Sequence, residues 1–155
     1  MIGDDLLRET TEYLHAQIPL TRAMGVSIAS YDGGQIVVTA PLAANHNHLG
    51  TAFGGSLSAI ATLAGYALVW LELGDRAAHV VIRESSIRYR RPVRGELRAV
   101  CRAPDAGTLA VFRSDFARNG KARLVLRVGI GEEGDSAVEF EGTFVAIRSA
   151  GSREG

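Results

Sequence analysis

The sequence predicts an α+β fold in which one long apolar helix is wrapped by a strongly curved antiparallel sheet, with a short helix ahead of both. Three observations predict it. Residues 33–71 contain no Asp, Glu, Lys or Arg, and within them residues 53–71 form a run long enough for a helix that is apolar on every side. Beyond Gly74 the chain breaks into five runs of partial apolar and polar alternation punctuated by turn residues, the pattern of β-strands. The 155 residues, 46% hydrophobic and 22% charged, suffice for one domain with its own core and exclude a disordered chain.

Taken in order, residues 4–18 place Leu6, Leu7, Leu14 and Ile18 among charged side chains at near-helical spacing, and Pro19 predicts a stop. Residues 24–29 and 35–40 are short β-branched runs about Tyr31-Asp32-Gly33-Gly34, a turn composition, and predict a hairpin. Residues 41–51, rich in Asn and His, predict a loop. The long helix follows and stops near Gly74. Antiparallel strands are then expected in succession at 79–91, 96–103, 108–118, 122–131 and 137–148. Asn119-Gly120 is expected as a two-residue type I′ turn, because both positions of that turn need positive φ. Residues 149–155 are small and polar and predict a disordered tail, which leaves residues 1–148 as a single domain. A helix apolar all round needs a surface that surrounds it, and a curved antiparallel sheet supplies one: this is the hotdog architecture.

The long apolar run also meets the length of a membrane helix. Against a span stand Ser56, Ser58, Thr62 and three glycines within it, and the alternating segments that need a core to pack on, so a buried helix is expected. Seventeen basic residues balance 17 acidic ones, so neither nucleic acid nor an anionic membrane is expected as the main partner. Cys101 is the single cysteine, which excludes an internal disulfide and cysteine-built zinc sites. With no basic and apolar leader recognisable at the start, a cytoplasmic location is expected.

The densest chemical cluster is Asn45-His46-Asn47-His48-Leu49-Gly50-Thr51-Ala52-Phe53-Gly54-Gly55-Ser56, which ends where the apolar helix begins. Gly54 and Gly55 leave backbone N–H groups uncrowded at a helix N-terminus, where unpaired donors and the positive end of the dipole favour a carbonyl oxygen gaining negative charge. That outlines an oxyanion site; the alternative is that Gly54-Gly55-Ser56 only starts the helix and permits close packing. The spacing Asn47-x-x-Gly50-x-x-Phe53-Gly54-Gly55 resembles the Asn-x-x-Gly-x-x-His-Gly-Gly signature of hotdog acyl-CoA thioesterases of the phenylacetate-pathway type. More closely, Asn45-x-Asn47-x-x-Gly50-Thr51-x-Phe53-Gly54-Gly55-Ser56-Leu57, with Ile18-Pro19-Leu20 upstream and Ile87-x-Tyr89-x-x-Pro92-Val93 downstream, resembles the thioesterase family of the YiiD C-terminal domain.

The resemblance implies roles residue by residue. The N–H of Gly55, with Gly54 beside it, would polarise a thioester carbonyl, and Asn47 would hold the loop or the nucleophilic water. His48, Thr51, Phe53 and Ser56 would line the substrate. The hotdog thioesterases with the histidine signature place a catalytic Asp or Glu nine residues after that histidine; here Phe53 stands at the histidine position and Thr62 at the carboxylate position. Neither is a base of ordinary strength, so Glu84 is the candidate acid, in a strand expected beside the central helix; the alternative is an ion pair with Arg83 or Arg88. His46 and His48 invite a base role or plain loop packing, but no third ligand joins them, and no metal is expected. Cys101, between Val100 and Arg102, is expected as a buried small hydrophobe.

Seven arginines lie between residues 83 and 102, whereas residues 132–141 carry five acidic groups and no basic one. Either these segments pair charges across the sheet, or Arg90, Arg91 and Arg94 around Pro92 meet the phosphates of coenzyme A or of a carrier protein's pantetheine arm. The implied protein is a homodimer or a dimer of dimers that hydrolyses an acyl-CoA or acyl-carrier-protein thioester without any cofactor of its own. A non-catalytic acyl-thioester binding module is the alternative that Phe53 and Thr62 favour. A hotdog dehydratase or hydratase ranks last, since the hydratase Asp-x-x-x-x-His pattern is absent.

Overall fold

Residues 3–132 and 134–149 are described by the computed structural model of this chain. Helix α1 (Asp4–Gln17) starts with Asp4 and Asp5, whose charge suits the helix N-terminus, and buries Thr10 and Leu14. Pro19 ends that helix as expected but also opens a second, α2 (Pro19–Met24), because proline at the first helical position lacks only an N–H that would be unpaired anyway. Strands β1 (Ser27–Tyr31) and β2 (Gln35–Ala40) form the expected hairpin, its turn closed by the Asp32 carboxylate accepting from the N–H groups of Gly34 and Gln35 at 2.8 Å each. A single 3-10 turn, Leu42–Ala44, leads into the Asn/His loop. Helix α3 (Gly54–Leu73) then runs to Gly74, and strands β3 (His79–Tyr89) and β4 (Leu97–Arg102) follow.

The next segment departs from the sequence reading. Residues 108–118 are not a strand; they belong to helix α4 (Ala106–Asn119). Asp105 is its N-cap, accepting from the Thr108 N–H at 2.8 Å and from the Thr108 hydroxyl at 2.9 Å. Leu109, Phe112 and Phe116 supply a buried face at helical spacing, so the period is 3.6 and not 2. Asn119-Gly120 is accordingly not a hairpin turn: Asn119 is the last helical residue, and Gly120, at φ 68°, is the left-handed cap that ends α4. Strands β5 (Lys121–Glu132) and β6 (Asp135–Ile147) complete the chain, and the expected tail lies outside the described residues from Ala150 onward.

The strands form one antiparallel sheet in the order β1-β2-β4-β5-β6-β3. The later strands are therefore not a simple meander, because β3 crosses to the far edge and pairs with β6 rather than β4. Helix α3 lies against β2, β3, β4, β5 and β6, which is the hotdog arrangement. It is long and apolar enough to cross a membrane, yet ten of its residues, from Leu57 to Trp70, are buried inside this fold. Gly65 marks a close approach of helix and sheet: a Cβ there would fall 2.3 Å from the ring of Phe144 on β6. Helix α4 closes the C-terminal end of α3, where Arg113 and the Tyr31 hydroxyl both bond the buried Glu72 carboxylate. Burial, and then the bond to Glu72, push the Tyr31 phenol well above its ordinary pKa.

Candidate active site

The loop ahead of α3 is built by its asparagines. Asn45 is buried, and its amide donates to the carbonyls of Met24 at 2.9 Å and Pro41 at 2.8 Å. Its backbone carbonyl accepts from the Phe53 N–H at 2.8 Å, and the Ala52 N–H donates to the Val93 carbonyl at 2.8 Å, which fixes the chain at the start of the helix. The Asn47 Oδ1 accepts from the N–H groups of Leu49 at 2.8 Å and Thr51 at 3.2 Å, and its Nδ2 donates to the Thr51 hydroxyl at 2.9 Å. Asn47 is thus bound into its own loop, with Thr51 as its partner. His46 Nδ1 meets the Asn47 carbonyl at 2.9 Å, and His48 is exposed.

Helix α3 begins without a side-chain cap, since its N-cap residue is Phe53. The first intrahelical bond there is Leu57 N–H to Phe53 carbonyl at 3.0 Å. Among the described residues no acceptor is bonded to the N–H groups of Gly54, Gly55 and Ser56. Three donors at the positive end of a 20-residue helix are therefore free. The Phe53 ring folds back over Gly55, so that a Cβ added at Gly55 would meet it at 2.4 Å. On the other side Tyr89, the last residue of β3, packs on Gly54 and donates its hydroxyl to the Gly54 carbonyl at 3.2 Å. Phe53 and Tyr89 are 55% and 50% exposed, an apolar flank on either side of the three donors.

Thr62 is seven residues beyond Gly55, on the same helix face and about 10 Å along the axis. It is half-buried, and its hydroxyl donates to the Ser58 carbonyl at 2.9 Å. Glu84 is not beside α3 as the sequence suggested. The register sets Ile82 opposite Phe144, which faces α3, and after a bulge sets Glu84 opposite Thr143, on the sheet face turned away from the helix. Without the bulge a two-residue period would have kept Ile82 and Glu84 on one face, which is why the sequence could not show it.

The arginines divide. Arg90 pairs with Glu139 at 3.0 Å and Arg91 with Asp135 at 2.8 Å, so the basic and acidic segments do meet across the sheet. Arg94 takes part in no ion pair among the described residues and lines a cavity of about 720 Å³ with Arg91, Glu96 and Arg98. A larger cavity of about 1260 Å³ lies on the outer face among Arg88, Arg98, Arg102, Arg127, Glu139 and Glu141. Its mixed charge and its place away from α3 separate it from the free N–H groups of Gly54, Gly55 and Ser56. Burial pushes the Cys101 thiol up to about 12, as expected of a buried hydrophobe and not of a nucleophile. The sequence assigns Tyr89 no role; its place over Gly54 joins residues 35 positions apart, which no local pattern reports.

Compared with known proteins, residues 7–148 match the family described as "Putative thioesterase (yiiD_Cterm)". The chain belongs to this family. Among solved structures, a protein of unknown function from Chlorobaculum tepidum is 34% identical over 94% of this chain and 96% of its own, with a TM-score of 0.85. A Shewanella oneidensis chain described as a "putative thioesterase" is 32% identical over 94% of this chain and 99% of its own, with a TM-score of 0.84. A Haemophilus influenzae thioesterase, 18% identical over 93% of this chain and 92% of its own at a TM-score of 0.67, shares the hotdog fold. Membership of the YiiD C-terminal family thus agrees with the motif that surrounds the first turn of α3.

Proposed function

We propose that this protein hydrolyses an acyl thioester whose carbonyl oxygen sits at the first turn of α3. The observation that carries the reading is the set of three unbonded N–H groups of Gly54, Gly55 and Ser56, flanked by Phe53 and Tyr89. In this reading the carbonyl oxygen accepts from Gly55, with Gly54 and Ser56 adjacent, and water attacks the carbonyl carbon. The oxyanion draws on fixed donors that need no reorganisation. Collapse breaks the C–S bond, the acid and the thiol leave, and the water's proton ends in solvent or on the thiolate. Coenzyme A or a pantetheine arm is part of the substrate, no separate cofactor is required, and Arg94 is the guanidinium best freed for its phosphates.

Asn47 and Thr51 act through the loop rather than on water, given their mutual bonds. Thr62 supplies at most a hydroxyl whose proton is already donated, so turnover is slow. The protein works as a cytoplasmic homodimer, with no nucleic acid or membrane span involved. Its β3 edge is unpaired, and Val81 and Ile82 on it are 51% and 37% exposed, so that edge invites a second copy to extend the sheet and cover the apolar flanks. A dimer of dimers would add a further interface. Phe53 and Thr62 favour the second reading, a non-catalytic acyl-CoA or carrier-protein binding module.

The test is thiol release over acyl-CoAs from acetyl to palmitoyl, with substitutions at Asn47, Thr62 and Glu84, beside sedimentation of the parent and of Val81→Lys. Release by the parent that Glu84→Gln does not lower supports hydrolysis at α3. Binding of acyl-CoA with no release anywhere in the panel replaces hydrolysis by the binding module.

A further inference from the structure

Helix α3 starts on two glycines, has no side-chain cap and carries no acidic residue in its first turn. Each glycine in a helix costs about 1 kcal/mol relative to alanine, and the missing cap removes the usual compensation. Such a turn frays, yet the three donors converge only while it is wound. Two aromatic contacts oppose the fraying: the Phe53 ring against Gly55 and Tyr89 against Gly54. Only Tyr89 adds a hydrogen bond, to the Gly54 carbonyl, which is also the helical acceptor for the Ser58 N–H.

Tyr89 is well placed for this task because its own backbone is anchored. It ends β3 opposite Val138, and the next two N–H groups, of Arg90 and Arg91, both donate to the Ala137 carbonyl at 2.8 and 3.2 Å. The phenol therefore ties a fixed strand end to an otherwise loose helix start. We propose that Tyr89 is the positioning residue of the oxyanion site, holding the first turn of α3 wound so that the Gly54, Gly55 and Ser56 donors stay aimed. The kinetic part rests on the thioesterase reading above; the conformational part does not.

The experiment compares the parent with Tyr89→Phe, which keeps the ring and loses the hydroxyl, and with Tyr89→Ala, which loses both. Amide hydrogen exchange at Leu57 and Ser58 reports unwinding of the first turn, with no need for substrate. For Tyr89→Phe the exchange is expected to quicken about fivefold, as suits one lost hydrogen bond, and for Tyr89→Ala more, at an unchanged global melting temperature. In the thiol-release assay the parent's best acyl-CoA should show kcat lowered about fivefold in Tyr89→Phe, with KM within about twofold. Unchanged exchange at Leu57 and Ser58 in both variants overturns the proposal. So does a raised KM at constant kcat, which would make Tyr89 a substrate contact. If the parent releases no thiol at all, the hydrolysis reading falls, and the exchange measurement still decides whether Tyr89 holds the turn.

Discussion

Gly55→Val tests the oxyanion assignment most directly. An ideal Cβ at residue 55 would lie 2.4, 3.1 and 3.2 Å from three carbons of the Phe53 ring, so any side chain there drives that ring off the first turn. Valine's branched methyls then stand beside the amide and keep a carbonyl oxygen from reaching hydrogen-bond distance. One oxyanion donor is typically worth about 3 kcal/mol of barrier, so kcat should fall on the order of a hundredfold. Stability should change far less. Replacing a helical glycine recovers up to about 1 kcal/mol, and displacing a half-exposed ring costs a comparable amount. Thiol release on acyl-CoAs and thermal unfolding of the same samples separate the two effects. The paired control is Gly54→Ala, whose Cβ would meet Tyr89 at 3.7 Å, an ordinary contact, and which should keep most of its activity. Parental turnover in Gly55→Val, or an equal loss in Gly54→Ala, would refute the assignment.

Thr62→Asp puts a carboxylate where the hotdog thioesterases that the motif resembles carry their acid, on the face that carries Gly55, and should raise kcat at neutral pH by about a hundredfold or more if water already sits there; a fall would mean that another base is at work. Gly65→Ala should destabilise the protein despite the better helix propensity. Its methyl meets Phe144 ring atoms at 2.3 and 2.5 Å, and overpacking of about 1 to 3 kcal/mol outweighs a gain of about 1, which urea unfolding can read. Cys101 should resist thiol reagents at pH 8 until the protein unfolds. With its pKa raised from 9.0 to about 12, the unfolded state loses this proton first, so stability contributed by the buried thiol should decline as pH rises from about 9 to about 12, and Cys101→Ala should flatten that decline. Tyr66, also pushed up to about 12, adds to the same alkaline loss.

Several features were legible in the sequence because local chemistry alone dictates them. The apolar stretch at 53–71, within a charge-free run of 39 positions, residues 33–71, belongs in a core, and nearly all of it became helix α3. Asn45, Asn47 and Thr51 spell a loop through their own short-range hydrogen bonds, and Gly54-Gly55 at the helix start leaves amides free whatever surrounds it. Cys101 shares the alternating phase of Leu97 and Ala99 in its strand, opposite Arg98 and Arg102, and so had to be inside. Residues 108–118 read as a strand because Val111 and Phe112 imitate strand composition. The helical signs were nonetheless present in the Asp105 and Thr108 cap and the Leu109, Phe112 and Phe116 spacing.

What only the tertiary structure decided concerns partners distant in sequence. Alternation tells which residues share a face but not which strand lies alongside, so the crossing of β3 to the edge beside β6 could not be read. One bulge between Ile82 and Glu84 then turned Glu84 away from the helix. The same crossing set Tyr89 against Gly54 and paired Arg90 and Arg91 with Glu139 and Asp135. The physical reason is that sequence patterns record the local period of burial, whereas these contacts depend on register and loop closure between segments tens of residues apart.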